Sequence, residues 1–299
     1  MAGCGRINHS GEGGLYAELL QNRAFQIVTP HTPGALAGWE TYKNAALDVT
    51  NSTTGVSKAL PNSLQVTIPA GLTGPIGFQN TGYWGMKVQS DWTYTGSFYV
   101  KSSDFSGAIT VSLVSASSGR VYASRVLTGV TSSWKKLSFS FKPTATAPDT
   151  NNILRFSVDS ASATGKTLYF GMFSLFPPTY KNRPNGMRID LAETLMATKP
   201  GIFRFPGGNN LEGGSASTRW KWNETIGPIE NRPGRFGNWG YVNTDGLGLM
   251  EYFDWIEDMG AEPIFGIWCT FCFENLETVN PLSLSQFQLV WAWVRTGTL

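Results

Sequence analysis

Apolar and polar positions along this chain change period twice. Between about 27 and 178 they alternate: S-F-Y-V-K (97–101), A-I-T-V-S-L-V (108–114), K-K-L-S-F-S-F (135–141), I-L-R-F-S-V (153–158) and T-L-Y-F-G-M-F (167–173). A period of two is that of a strand with one buried face. Clusters such as Ser117-Ser118-Gly119 and Ser160-Ala161-Ser162 supply turns between these runs. Such strands, with almost no helical period among them, predict an antiparallel β-sandwich. About 150 residues are enough for a core of its own.

The flanking zones read differently. Leu15, Leu19 and Leu20 recur at helical spacing behind Gly13-Gly14, which predicts a short helix over 14–23 within an opening segment 1–26. From 179 helix and strand alternate. Ile189, Leu191, Leu195 and Met196 mark a helix over 187–198 that Pro200 stops, and G-I-F-R-F-P (201–206) reads as a short strand. A second helix spans 245–259, N-capped by Thr244 or Asp245 and ended by Gly260. E-P-I-F-G-I-W (262–268) is apolar on both faces, as a buried parallel strand should be. This order predicts a parallel α/β unit over 179–299. Only about two βα units are clear, short of a closed (β/α)8 barrel, so the apolar face of Ile264 and Ile267 is expected to stay uncovered. In 282–299, Phe287, Leu289, Val290, Trp291, Trp293 and Val294 nearly encircle a helix that carries one charge, Arg295. A barrel's outer helix needs a single apolar stripe.

Composition narrows the function classes. The 299 residues hold 23 Lys and Arg against 21 Asp and Glu, and charged residues make up 15%, below the roughly 25% of average domains. Aromatics at 13%, with 11 Trp, exclude intrinsic disorder. A net charge of +2 provides no basic field for nucleic acid. No apolar run reaches the roughly 18 residues of a membrane helix. A weakly charged, turn-rich and Trp-rich chain points to a neutral polar ligand, of which sugars are the commonest. Cys269 and Cys272 form a C-T-F-C pair, but with Cys4, His9 and His31 the only other thiol and imidazoles, no zinc site is expected. Residues 1–6 (M-A-G-C-G-R) lack the apolar core of a signal peptide, and N-x-S/T sequons begin at Asn8, Asn51 and Asn223.

Two stretches carry candidate chemistry. In F-R-F-P-G-G-N-N-L-E-G (203–213) a strand delivers Arg204, Pro206-Gly207-Gly208 turns the chain, and Asn209 follows. Those groups would point beyond the strand's carboxyl end, where barrels build their sites; a structural ion pair and a plain tight turn are the alternative. In 227–246, Trp239 and Tyr241 stand among glycines with Arg232, Arg235, Asn238 and Asn243 around them. That reads as a sugar platform or as a loop with its own small core. Retaining glycoside hydrolysis needs two carboxylates about 5–5.5 Å apart. Among Glu12, Glu18, Glu251, Asp254, Glu274 and Glu277 no pair stands out; Glu251 and Asp254 read as a solvated helix face, Glu274 and Glu277 as loop residues. No Ser-His-Asp triad or P-loop is present.

Taken together, I-N-H-S-G-E-G-G-L-Y-A-E-L-L-Q-N-R-A-F-Q, F-R-F-P-G-G-N-N-L-E-G and R-P-G-R-F-G-N-W-G-Y-V-N-T-D-G-L-G-L-M-E-Y-F-D-W resemble the fungal α-L-arabinofuranosidases of glycoside hydrolase family 51, in the same order and over about 7–268. The resemblance implies a carbohydrate-binding-module-like sandwich at 27–178, inserted between the barrel segment 1–26 and the opening of a (β/α)8 TIM barrel at 179–299. It implies release of terminal arabinofuranosyl groups from arabinan and arabinoxylan by two-step displacement. It also implies a secreted protein with no cofactor, metal, nucleic-acid or membrane partner. Asn209 matches the asparagine that hydrogen-bonds arabinose, Arg204 the arginine supporting that subsite and the nucleophile, and Trp239 an aromatic lining the pocket. The family's acid/base, in an N-E dipeptide after strand four, and its nucleophile, after strand seven, are expected beyond Leu299. The one N-E here, Asn223-Glu224, falls upstream of the third strand, and M-A-G-C-G-R holds no counterpart of the family's first-strand glutamate. No catalytic residue is therefore assigned. The fragment is expected to be inactive alone, with its tail after about 269–284 foreign to the family through a splicing error. The rival reading is a non-catalytic carbohydrate-binding protein built on the sandwich.

Overall fold

The computed structural model describes residues 2–3 and 9–268. In chain order its strands and helices begin with β1 (Ala2–Gly3), β2 (Trp39–Tyr42), β3 (Ala46–Thr50), β4 (Ser63–Thr67), β5 (Pro75–Asn80) and β6 (Tyr94–Lys101). There follow β7 (Ile109–Ser115), β8 (Val121–Leu127), β9 (Lys135–Phe141), β10 (Asn152–Asp159), the helical turn α1 (Ser160–Ala163) and β11 (Thr167–Phe176). The chain continues with α2 (Ile189–Ala197), β12 (Ile202–Phe205), α3 (Gly208–Glu212), β13 (Arg235–Phe236), β14 (Val242–Asn243), α4 (Leu249–Met259) and β15 (Glu262–Phe265).

Strands β2 to β11 make two five-stranded antiparallel sheets, ordered β2-β5-β10-β7-β8 and β3-β4-β11-β6-β9. Their facing sides close over an aromatic core. Phe78 stacks on Phe156 at 5.0 Å between ring centres, and Phe98 meets Phe156 edge-on at 5.3 Å. Each of the five alternating runs is a strand. The shorter strands β2, β3, β4 and β5, and the seven-residue β8, join them. Gly77 in β5 is required by a close approach, since a Cβ there would lie 2.1 Å from the Phe156 carbonyl oxygen. Ser160-Ala161-Ser162 is not a bare turn but the start of α1, capped by the Asp159 carboxylate.

The helix expected over 14–23 does not form. Tyr16 bridges to Met187, the Ala17 N–H donates to the Gly186 carbonyl at 3.0 Å, and the Leu19 N–H donates to that of Leu175 at 3.0 Å. Tyr16, Ala17, Glu18 and Leu20 are all buried, so no face remained for solvent and the backbone took partners far along the chain. Leu20 and Phe25 enter the sandwich core, whereas Tyr16 enters a second core.

That second core packs under a parallel sheet ordered β1-β12-β15. Phe205 stacks on Tyr252 of α4 at 4.8 Å and on Phe265 of β15 at 5.4 Å. The N-cap of α4 is Gly248, not Thr244 or Asp245. Both of those are buried upstream, and the Glu251 carboxylate accepts the Gly248 N–H at 2.9 Å in their place. Gly260 ends α4 in the left-handed conformation, φ 64°. Strand β15 is less buried than its sequence implies: Pro263, Ile264 and Phe265 are half-buried, and among the described residues β15 pairs with β12 alone.

Candidate functional site

The site grows from the alternation in β12. Phe203 and Phe205 are buried on the α4 side, while Ile202 and Arg204 are exposed on the other face. Ile264 sits at the register of Arg204 and shares that face. Beyond the carboxyl end of β12, Gly207 turns the chain at φ 84°, a conformation that favours glycine, and α3 begins. Its second and third residues divide the labour: Asn209 is exposed and Asn210 is buried.

Arg235 fixes that division. Its guanidinium donates to the Asn210 carbonyl at 3.1 Å and to the Asn210 side-chain oxygen, and it lies 3.3 Å from the Asp245 carboxylate. The loop carrying Trp239 is thereby rooted beside Asn209. Trp239, 43% exposed, stands at the tip of the β13–β14 hairpin with Phe236, 48% exposed. So Arg204, Asn209 and Trp239 all reach the surface from β12 or from segments tied to its carboxyl end.

Other residues of the expected platform do not reach it. Arg232, Arg235 and Asn243 are buried. Arg232 is spent on the Glu251 carboxylate and on the carbonyls of Gly227 and Gly246, each bond 2.9–3.0 Å. Stretch 227–246 thus combines both sequence readings, an internal polar core with an exposed aromatic tip.

The carboxylates fare similarly. Glu12 accepts the Thr244 N–H at 2.9 Å, and Glu18 accepts from Arg23 at 2.9 Å and Ser174 at 2.7 Å, both deep in the protein. Glu251 is no solvated helix face, its side chain being 12% exposed. Asp254 pairs with Arg183 at 3.3 Å, and Glu224 of the N-E dipeptide with Lys221 at 2.9 Å. Glu274, Glu277, Cys4, Cys269, Cys272 and the tail at 282–299 lie outside the described residues. Among the described residues no three His, Cys, Asp or Glu side chains converge to hold a metal, and no helix is long and apolar enough to cross a membrane.

One contact was not legible in the sequence. The His9 ring stacks on Tyr241 at 3.8 Å and the His9 backbone N–H donates to the Tyr241 hydroxyl at 3.1 Å, across 232 positions. Burial lowers the imidazole's pKa, an effect only partly offset by Glu12. Tyr83 and Trp84 close around the same ring at 5.3 and 6.2 Å. The pair borders a cavity of about 480 Å³ whose walls mix Phe236 and Tyr83 with Gln21, Asn22 and Gln26.

Comparison with known proteins bears on this arrangement. Residues 194–289 match the "Alpha-L-arabinofuranosidase 1 domain" family. A probable alpha-L-arabinofuranosidase A of Aspergillus terreus is 46% identical over 271 residues, and the alpha-L-arabinofuranosidase A of Aspergillus kawachii is 44% identical over 270. Each match covers 90% of this chain and 42% of the relative, so the chain spans about two fifths of the length of these relatives. The solved structure of an arabinose-bound GH51 α-L-arabinofuranosidase is 54% identical with a TM-score of 0.86, over 89% of this chain and 43% of that one. Over nine tenths of its length the chain is thus similar to α-L-arabinofuranosidases, among them one of glycoside hydrolase family 51.

Proposed function

We propose that the chain supplies substrate recognition to a retaining α-L-arabinofuranosidase that releases terminal arabinofuranosyl groups from arabinan or arabinoxylan outside the cell. In this reading 27–178 is a carbohydrate-binding-module-like unit. Strands β1, β12 and β15 with helices α2 and α4 open a (β/α)8 barrel, to which 1–26 and 179–299 belong. Sites in such barrels lie at the carboxyl ends of the strands, where Arg204 and Asn209 stand. The carrying observation is that Arg204 is exposed on a parallel strand whose other face is sealed by aromatic rings.

Each side chain has a definite task. The Asn209 amide both donates and accepts, which suits a sugar hydroxyl. The Arg204 guanidinium stays charged, and its donors favour negative charge on a neighbouring carboxylate. The Trp239 ring offers an apolar face to sugar C–H groups. None of the three is the attacking or protonating group, and no such group is assigned among the described residues.

The test is calorimetric titration of the chain with arabinose, set beside retention on an arabinoxylan gel. Asn209→Ala is expected to weaken arabinose binding by about tenfold, the worth of a neutral hydrogen bond, and Arg204→Ala by about ten- to a hundredfold, the worth of one involving a charged group. Retention on the gel with no arabinose binding that Asn209→Ala or Arg204→Ala weakens would instead support a carbohydrate-binding protein built on the sandwich.

A further inference from the structure

A second cavity, with no β12 residue in its walls, lies where several distant parts of the chain converge, 13–19 among them. Its volume is about 380 Å³, within the roughly 300–1,000 Å³ of small-molecule sites. One wall is the loop between β5 and β6, carrying Trp84, Lys87 and Trp92; another is the Pro177-Pro178 step after β11; a third is the start of α2, with Arg188, Asp190 and Glu193.

Two features of the walls are unusual for a chance crevice. Trp84 is 68% exposed although its loop is rigidly held. Gly85 (φ 79°) presses against the Thr150 carbonyl so closely that a Cβ would sit 2.0 Å from it. The Met86 N–H donates to that same oxygen at 2.8 Å, and Asn152 donates to the Met86 carbonyl at 2.8 Å. The indole is therefore presented at little ordering cost, which favours binding. Trp92 packs on the sandwich core, with the Lys87 ammonium 5.0 Å from its ring centre.

The charges around this aromatic floor cancel. Lys87 and Arg188 face Asp190 and Glu193, and Arg188 holds Asp190 at 2.7 Å. Burial alone would raise the Asp190 pKa. Arg188, the Leu191 N–H and the charge of Lys87 together bring it below the usual value. Glu18, also at the wall, is already committed to Arg23 and Ser174. A balanced rim gives no preference to an ionic ligand. It offers carboxylate acceptors and cationic donors to hydroxyls, above rings that take C–H faces.

We infer that this cleft between the β5–β6 loop and α2 is a binding site for a neutral oligosaccharide, separate from the site at β12. Its affinity resides in Trp84 and Trp92, and its hydroxyl contacts in Lys87, Asp190 and Glu193.

The test is calorimetric titration of the 299-residue chain with neutral xylo-oligosaccharides, which carry no arabinofuranosyl group for the β12 site, and with an anionic oligogalacturonate. Saturable binding of the xylo-oligosaccharides is expected, with oligogalacturonate weaker. Trp84→Ala should weaken binding by about tenfold, with thermal stability unchanged because the side chain is exposed, and Trp84→Phe should restore most of it. Asn209→Ala and Trp239→Ala, at the β12 site, should leave this binding intact even if the arabinofuranosidase reading fails. Unchanged affinity in Trp84→Ala, tighter binding of oligogalacturonate, loss of xylo-oligosaccharide binding in Asn209→Ala instead, or no saturable binding of xylo-oligosaccharides would overturn the inference.

Discussion

Arg232 and Glu251 meet as a two-pronged ion pair, with nitrogen–oxygen distances of 3.0 and 2.9 Å. The side chains are 4% and 12% exposed. The same carboxylate accepts the Gly248 N–H and an Asn185 N–H, so the pair ties the loop after β12 to the first turn of α4.

Removing one partner of a buried pair strands the other charge. Arg232→Met is therefore expected to lower unfolding stability by about 3–5 kcal/mol, read from urea denaturation. Arg232→Lys should recover only part of this, since an ammonium cannot make the planar fork. A loss below about 1 kcal/mol, typical of exposed pairs, would show that the pair does not bear on the junction.

Asn209 and Asn210 are neighbours with opposite duties. Asn210→Ala takes an acceptor from the buried Arg235 guanidinium and should cost about 1–3 kcal/mol of stability. The Asn209 side chain is exposed, so Asn209→Ala should stay within about 0.5 kcal/mol, while arabinose binding measured by calorimetry weakens. Equal stability losses in the two variants would mean that Asn209 also holds the loop.

The difference between these two asparagines marks the limit of what could be read from residues alone. K-K-L-S-F-S-F shows its buried side outright: Leu137, Phe139 and Phe141 are the core residues of β9. The end of α4 is equally plain, because only a glycine sits comfortably at φ 64°. By contrast, L-Y-A-E-L-L has the spacing of a helix and runs as an irregular buried strap, because its backbone partners, Gly186 and Leu175, are more than 150 positions away. The same holds at the site. The Pro-Gly-Gly turn gives away Arg204 and Asn209, being local. Nothing local separates Arg232 and Arg235, which are internal, from Trp239, which is not. Their burial depends on Glu251 and Asp245, and Tyr241 depends on His9.

Gly260 and Gly201 form a paired test of backbone strain. A Cβ would meet nothing within 4 Å at either position, but only Gly260 has positive φ. Gly260→Ala should therefore cost roughly 1 kcal/mol from conformation alone, whereas Gly201→Ala should be neutral or raise stability by about 0.4–1 kcal/mol through the unfolded chain. Thermal melts of the two variants decide it; a similar loss in both would locate the cost in sterics rather than in φ.

Acid should weaken the junction between α4 and the turn at 181–183 through one carboxylate. Asp258 takes Arg183 at 2.9 and 2.8 Å and Lys181 at 3.0 Å, its side chain being 2% exposed. Burial pushes its pKa up, but the Arg183 and Lys181 contacts outweigh that and leave it below 3.8. A depressed native pKa means that the unfolded chain binds the proton first. The contribution is thus complete above 3.8 and disappears as pH falls through the lower native value. Asp254, one turn earlier, has the opposite sign. Burial raises its pKa, Arg183 offsets part of this, and Glu251, Asp258 and Glu257 add to the rise. The native state therefore takes that proton first, and stability gains slightly before the Asp258 loss begins. Urea midpoints followed from neutral pH to below 3.8 should show a shallow rise and then a fall. Asp254→Asn should remove the rise and Asp258→Asn the part of the fall due to Arg183 and Lys181. If Asp258→Asn left the acid limb as steep as before, the proton uptake would belong to other carboxylates, and the Arg183 cluster would be a neutral contact rather than a stabilising one.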